Sequence, residues 1–235
     1  MYVLAFDTAT DVVTVAIGRD GVPLGALQLA SGREHAERLV PAIRTLVADT
    51  GIALDRLAAI AVGVGPGRFT GLRVGVTTAK VMAQALAIPV VGISTLDLVA
   101  FPLRHTRRDV VAVIDARRRE VFWARYRTVP GGVVRIGDEA VAPPHEVVAE
   151  LMARGGEVLL AGDGVDRYRA ELAELDHAEL AGPEFAAPSA LALLELAAGR
   201  LEREEFVAPG ALSPVYLRES DAAINWERAG LESAR

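Results

Sequence analysis

The stretch that most constrains the fold is the segment 57–82, in which an apolar run is followed by a glycine turn and a helix. Leu57 to Val64 has the composition of a strand that is buried on both faces. Gly65-Pro66-Gly67 ends this strand, because glycine permits unusual backbone angles and proline lacks an amide donor. Thr70 is predicted to cap the helix that follows. A buried strand that leads directly into a helix indicates an α/β fold.

The predicted helix carries two stripes. Apolar residues recur with helical spacing, as expected for a buried face, at Leu72, Val76, Ala79, Ala83 and Leu86. Very small residues recur at every fourth position, at Gly71, Gly75, Ala79 and Ala83. A glycine inside a helix costs roughly 0.5–1 kcal/mol relative to alanine, so Gly75 requires a gain such as close packing. The sequence leaves open whether the packing partner belongs to this chain or to another protein.

The glycine turn matches neither of the common nucleotide-binding loops. A P-loop requires lysine and a hydroxyl residue after its last glycine, whereas Lys80 lies well downstream, and the dinucleotide pattern lacks its third glycine. What remains is a helix N-terminus with basic and hydroxyl side chains, which is a candidate anion site. Its residues would be Gly67, Arg68, Thr70 and Arg73. The alternative is a tight connection between strand and helix with no ligand.

Composition excludes several classes of protein. A chain of 235 residues with 51% hydrophobic content can form one domain or two small lobes with a sizeable core. The net charge of −6 argues against autonomous binding to nucleic acid, and the absence of cysteine excludes disulfides and thiolate chemistry. The start of the chain has no secretory signal and no apolar run reaches membrane-spanning length, so we expect a cytoplasmic protein.

Both halves of the chain show the same predicted order of elements. A strand at residues 2–6 ends at Asp7 and is followed by two strands joined by Asp20-Gly21, which is typical of a hairpin. A helix is then predicted from a capping box at Ser31–Glu34 to Thr50. Beyond a basic connector at residues 104–108, a strand at 110–114 ends at Asp115 and two further strands follow. This duplication predicts an N-terminal lobe, residues 1–105, and a C-terminal lobe, residues 106–235.

Two lobes that each open with strand, aspartate, turn and strand resemble the actin-like ATPase superfamily, which includes sugar kinases and Hsp70. The resemblance implies a two-lobed α/β fold in which the two hairpin turns grip the phosphates of a nucleotide. The glycine that usually follows each aspartate is missing here, and Arg117, Arg118 and Arg119 would obstruct or replace that grip. The candidate residues of a vestigial nucleotide or phosphate site are Asp7, Thr8, Thr10, Asp115, Gly162 and Gly164.

Four segments together resemble the bacterial TsaB family, also called YeaZ. They are LAFDTATD near the start, GPGRFTGLRVGVTTAK in the central stretch, IDARRREVFWARY, and SPVYLRE near the end. They occur in the family's order and span nearly the whole chain. The central segment is the most specific of the four.

The resemblance implies a non-catalytic subunit that pairs with TsaD, the protein that transfers threonylcarbamoyl to an adenosine of tRNA. TsaE, an ATPase, would join this pair, tRNA would be contacted through the complex, and the chain alone would form a homodimer. No cofactor is required of this chain, since ATP, ADP and metal belong to the partner subunits. The family contact uses the first two long helices, which places ten residues at the interface: Ala36, Leu39, Ile43, Leu46, Gly71, Leu72, Gly75, Val76, Ala79 and Ala83. Gly75→Leu would then abolish partner binding and leave the monomer folded.

Other chemistry is weakly supported by the residues. No two of the four histidines, His35, His105, His145 and His177, have metal-ligand spacing, so no metal site and no metallopeptidase is expected. The chief alternative function is an ATPase or phosphotransferase that uses Asp7 and Asp115 across the cleft between the lobes. The arginines at 104, 107, 108 and 117–119 could contact tRNA, although such charge runs are more often solvated.

Overall fold

The computed structural model describes residues 1–32 and 34–218. The strands are β1 (Tyr2–Asp7), β2 (Val12–Arg19), β3 (Val22–Ala30), β4 (Leu57–Gly63), β5 (Val90–Ile93), β6 (Asp109–Arg117), β7 (Glu120–Val129), β8 (Gly132–Ala142), β9 (Val158–Ala161) and β10 (Ala178–Leu180). The α-helices are α1 (His35–Thr50), α2 (Phe69–Leu86), α3 (Thr95–Ala100), α4 (Pro144–Arg154), α5 (Asp163–Arg167), α6 (Arg169–Leu172) and α7 (Ala190–Glu202).

The strands form two five-stranded sheets with the same topology. The first sheet has the order β3-β2-β1-β4-β5, and the second has the order β8-β7-β6-β9-β10. In each sheet the first three strands are antiparallel neighbours, and the last two run parallel to the first. The predicted α/β fold with duplicated lobes is therefore confirmed. The predicted boundary at residues 105 and 106 lies between α3 and β6 and stays a prediction, and residues 219–235 of the second lobe lie outside the described residues.

Helices cover both sheets in layers. α1 and α2 pack on the outer face of the first sheet, where their apolar stripes meet the side chains of β1, β2 and β4. α7 packs on the opposite face of this sheet, and α3 packs on the facing side of the second sheet. α4, α5 and α6 cover the far face of the second sheet. α1 and α2 form an outer layer, and the described segment 209–216 of the second lobe contacts α2 through Phe69, Arg73 and Lys80.

Two predicted helix starts are wrong. Ser31 is not a cap, because its backbone amide and hydroxyl both donate to the Asp11 carbonyl, and α1 begins only at His35. Thr70 is not a cap either. The Arg68 amide donates to the Ala9 carbonyl at 2.7 Å, which holds Arg68 extended in the N-cap position and places Thr70 inside the first turn of α2. Within residues 1–32 and 34–218, no helix is long and apolar enough to cross a membrane.

Candidate functional site

The small-residue row of α2 packs against the chain's own first hairpin turn. A Cβ atom at Gly71 would lie 2.1 Å from the Thr8 carbonyl oxygen, and one at Gly75 would lie 2.4 Å from the Thr8 hydroxyl oxygen. The Thr8 hydroxyl donates to the Gly71 carbonyl at 2.7 Å. The close approach that the sequence indicated therefore occurs inside the lobe, between α2 and the turn after β1.

This packing corrects the set of residues expected at a partner surface. Nine of the ten are buried within the chain, because the apolar stripes of α1 and α2 face the sheet: Leu39, Ile43, Leu46, Gly71, Leu72, Gly75, Val76, Ala79 and Ala83. Only Ala36 is exposed. The solvent-facing sides of the two helices instead present Val40, which is 49% exposed, and Val81, which is 61% exposed. Spacing alone left open what the two stripes of α2 pack against, and the structure assigns both stripes to the core.

Asp7 lies fully buried at the end of β1. Its carboxylate accepts hydrogen bonds from the Ala9 amide and the Thr95 hydroxyl, both at 2.8 Å. Burial raises the pKa of Asp7 to about 6, and these two hydrogen bonds oppose the shift. Because Asp7 is absent from the lining of the large cavity described below, it is not positioned there to meet a ligand.

Thr8 and Thr10 are likewise buried and bonded within the protein. The Thr10 carbonyl accepts a hydrogen bond of 2.6 Å from His35 Nε2, and the Thr10 hydroxyl accepts one of 3.3 Å from the Val12 amide. Because Thr8 is bonded to Gly71 of α2 and Thr10 to His35 of α1, the turn after β1 packs against both helices. His35 is therefore a buried structural contact of this turn.

The equivalent turn of the second lobe is more polar. Asp115 accepts from the Arg117 amide at 2.9 Å and from the Tyr168 hydroxyl at 3.2 Å. The Asp115 amide donates at 2.9 Å to Asp163, whose pKa burial raises to about 6. Sequence reasoning missed Asp163, and its position between two glycines was the available signal. Gly162 and Gly164 pack on β6, where their Cβ atoms would lie 2.1 Å and 2.8 Å from Val113.

Arg117 connects the two turns. Its guanidinium lies 3.1 Å from Asp11 in the first lobe and 3.1 Å from Asp115 in the second. Arg68 also pairs with Asp11, and Arg167 lies 3.4 Å from Asp115. The hairpin between β6 and β7 that carries Arg117 contains three consecutive residues with left-handed backbone. Their φ values are 64°, 53° and 62° for Arg117, Arg118 and Arg119. Such backbone is unfavourable for side-chain-bearing residues and marks a constrained turn.

A cavity of about 870 Å³ opens where α2 begins, between the two lobes. Its lining includes three of the four residues predicted to hold an anion, Gly67, Arg68 and Thr70, together with His35. Arg73 is not part of this lining: its guanidinium carbon lies 3.8 Å from the centre of the Phe69 ring, and its Nε donates to the Tyr216 hydroxyl at 3.2 Å. In the described part of the chain, no group of three or more His, Asp or Glu side chains could hold a metal ion.

Comparison with known proteins agrees with this fold. The family model described as "TsaD: tRNA N6-adenosine threonylcarbamoyltransferase" matches residues 28–226. The tRNA threonylcarbamoyladenosine biosynthesis protein TsaB of Escherichia coli is 33% identical over 231 residues, which cover 97% of this chain and 98% of the relative. The corresponding TsaB of Haemophilus influenzae is 32% identical over 96% of this chain and 95% of the relative.

Solved structures give the same result. YeaZ from Pseudomonas aeruginosa superposes with a TM-score of 0.81 at 35% identity, covering 92% of this chain and 99% of that one. An activator of 2-hydroxyisocaproyl-CoA dehydratase from Clostridium difficile, with bound ADPNP, has a TM-score of 0.53 at 12% identity, covering 87% of this chain and 97% of that one, and shares the fold alone. The chain therefore belongs to the TsaB (YeaZ) family, whose members act in the biosynthesis of threonylcarbamoyladenosine in tRNA.

Proposed function

We propose that this chain is a non-catalytic, cytoplasmic subunit that supports a TsaD protein by forming a heterodimer with it. TsaE joins this pair, tRNA is contacted through the complex, and the chain alone forms a homodimer through the same surface. The chain needs no cofactor of its own, and ATP, ADP and metal are bound by the partner subunits. The observation that carries the non-catalytic role is the pairing of the Arg117 guanidinium with a carboxylate of each hairpin turn.

The hairpin turns support a non-catalytic role because their polar groups are used internally. In the actin-like superfamily these turns hold nucleotide phosphates, which requires free backbone amides and accessible carboxylates. Here the amide of Ala9 donates to Asp7, the amide of Arg117 donates to Asp115, and Asp7 is fully buried. A bound magnesium nucleotide would have to break both pairs of Arg117.

The outer helices support partner binding. α1 and α2 lie side by side on the outer face of the first sheet, and each exposes an apolar side chain, Val40 and Val81. A TsaD protein shares the family model that matches this chain, so its corresponding helices can meet these across a pseudo-two-fold axis. In this arrangement the buried stripes hold the helices in place, and the exposed faces contact the partner.

Co-purification with the TsaD protein of the same organism tests the proposal. Val81→Asp and Val40→Asp should each abolish the heterodimer, because an unpaired carboxylate would be buried at the centre of an apolar contact. Val134→Asp is the matched control, since Val134 is 55% exposed on β8 of the second lobe. Retention of TsaD by both helix variants, or its loss in the control alone, would contradict this placement.

The alternative function is an ATPase or phosphotransferase that uses the cleft. Titration of ATP with magnesium into the isolated chain separates the two functions. We expect no turnover. Micromolar binding accompanied by turnover that disappears in Asp7→Asn would establish the alternative and overturn the non-catalytic role.

A further inference from the structure

The first turn of α2 leaves three backbone donors unused at the cavity between the lobes. α2 has 18 residues, and Arg68 in its N-cap position provides no side-chain cap. The first amides of an α-helix have no acceptor within the helix. Phe69, Thr70 and Gly71 carry these amides, and all three residues line the cavity. Among the described residues, none of the three amides donates to another group of the protein.

His35 provides an independent indication of a ligand at the same place. Its side chain is only 3% exposed and lines the cavity. Because Nε2 donates to the Thr10 carbonyl at 2.6 Å, Nδ1 of the neutral ring is an acceptor. In the part of the chain that the structure describes, Nδ1 is buried and has no hydrogen-bond partner. Buried polar atoms are normally paired, so an unpaired one requires an explanation.

The electrostatics of the lining favour an anion. Among the described residues, Arg68, Arg117, Arg118 and Arg218 contribute to the lining, and Asp115 is the one acidic residue there. This excess of positive charge occurs in a chain whose net charge is −6. The dipole of a long helix adds partial positive charge at its N-terminus. Arg68, Arg117 and Arg218 also pair with acidic residues, Asp11, Asp115 and Glu120, so the helix amides are the donors with the least competition.

We propose that this cavity binds the phosphate group of a small phosphate monoester. The unprotonated phosphate oxygens would accept from the α2 amides, and the hydroxyl of the singly protonated form would donate to His35 Nδ1. A phosphate ester has a second pKa near 6, so this form is well populated at mildly acidic to neutral pH. The volume of about 870 Å³ exceeds a phosphate group, and Phe69, Phe122 and Tyr216 provide apolar walls for the organic part.

This site differs from a nucleotide grip at the hairpin turns. Asp7 takes no part in it, and no metal ion is required. The inference is independent of the proposed heterodimer, because every residue that it uses belongs to this chain. Its test is therefore made on the isolated full-length protein.

Calorimetric titration at pH 6 with phenyl phosphate and phenyl sulfate tests the role of the proton. The two probes have nearly the same shape, but the sulfate ester has no hydroxyl to donate. Phenyl phosphate should bind at least about tenfold more tightly, the value of one good hydrogen bond to a charged group. In the same samples, the Nδ1 resonance of His35 should shift when phenyl phosphate is added.

Two substitutions at one position test the helix amides. Phe69 is the first residue of α2, where proline is well tolerated, and Arg68 already has the extended backbone (φ −68°, ψ 124°) that a following proline requires. Phe69→Pro removes one amide and the ring, whereas Phe69→Ala removes only the ring. We expect Phe69→Pro to bind phenyl phosphate about tenfold more weakly than Phe69→Ala does.

Three results would overturn the proposal. Phenyl phosphate could fail to bind, the two probes could bind equally, or the two Phe69 variants could have the same affinity. Binding that requires magnesium and is lost in Asp7→Asn would place the ligand at the hairpin turns instead. None of these results bears on whether the chain forms a heterodimer with TsaD.

Discussion

At the scale of single residues, Gly75 shows how closely α2 approaches the first hairpin turn. Because a Cβ atom there would lie 2.4 Å from the Thr8 hydroxyl oxygen, Gly75→Ala should lower the free energy of unfolding by about 1–3 kcal/mol. Gly199 is the matched control, since it also lies inside a helix but its nearest neighbour is the flexible end of Arg203, at 3.4 Å. Gly199→Ala should instead stabilise by up to about 1 kcal/mol through helix propensity. Urea denaturation of both variants measures the difference.

The same distance means that the fold would not be spared by leucine at position 75, contrary to the expectation from the sequence. A stable Gly75→Ala variant would indicate that Thr8 can move aside and that the contact is looser than it appears in the structure. Because Gly75→Leu would disturb the fold itself, loss of partner binding by this variant would say little about the interface. The exposed valines of the same helices provide the cleaner test.

Asp7 should make stability depend on pH. Its pKa is raised from 3.8 to about 6, so the folded state holds this proton more tightly than the unfolded state does. The resulting stabilisation is complete below about pH 4 and is lost as pH rises through about 6. A shift of this size corresponds to roughly 3 kcal/mol. Relative to Asp7→Asn, which cannot ionise, the wild type should lose stability between pH 4 and pH 7.

Thermal unfolding of the two proteins across this range measures the effect. Asp163, whose pKa is also raised to about 6, is present in both proteins, so the difference between them isolates Asp7. A constant difference in melting temperature from pH 4 to pH 7 would mean that Asp7 keeps the same ionisation in the folded and unfolded states.

At the scale of elements, two serine caps allow the stabilisation from a capping hydrogen bond to be measured separately from the stabilisation from a contact between the lobes. Among the described residues, the Ser189 hydroxyl accepts only from the Ala192 amide, at 3.1 Å, so Ser189→Ala should cost about 1 kcal/mol. Ser94 caps α3 and also donates to Glu139 of β8, at 2.5 Å. Ser94→Ala should therefore cost more, about 2 kcal/mol, because it also removes a hydrogen bond from a partly buried carboxylate. Equal costs in urea denaturation would show that the Glu139 contact adds nothing.

The sequence predicted the elements better than their contacts. Apolar runs and turn residues located β1, β4 and β6 to within a few residues, and the repeated order of strands revealed the duplication. Helix starts failed at Ser31 and Thr70, because long-range hydrogen bonds to Asp11 and Ala9 decided where those helices begin. Periodicity could not show which face of α2 is exposed to solvent. The spacing of its glycines is the same whether they pack against Thr8 or against another protein. The bridge through Arg117 depends on its ion pair with Asp11, which is 106 residues away in the sequence, so no local spacing could indicate it.

At the scale of the whole molecule, Arg117 is expected to hold the two lobes together across the cleft. Its guanidinium and that of Arg68 form a network with Asp11 and Asp115, so its loss removes two ion pairs at once. Partly exposed pairs contribute up to about 1 kcal/mol each, and Arg117→Ala should therefore lower the free energy of unfolding by about 1 kcal/mol. Hydrogen exchange should also become faster at the backbone amides of residues 8–12 and 115–120, because neither turn is then held by the other lobe.

Arg119→Ala is the control for this prediction. Arg119 lies in the same turn with φ 62°, and within the described ranges it forms no ion pair. The two substitutions remove the same charge and the same side-chain length from equally constrained backbone, so they differ in the bridge alone. If exchange at residues 8–12 is as fast in Arg119→Ala as in Arg117→Ala, the turn's backbone controls the cleft and the ion pairs do not. If it is faster only in Arg117→Ala, and high salt reproduces the change in the wild type, the lobes are joined electrostatically.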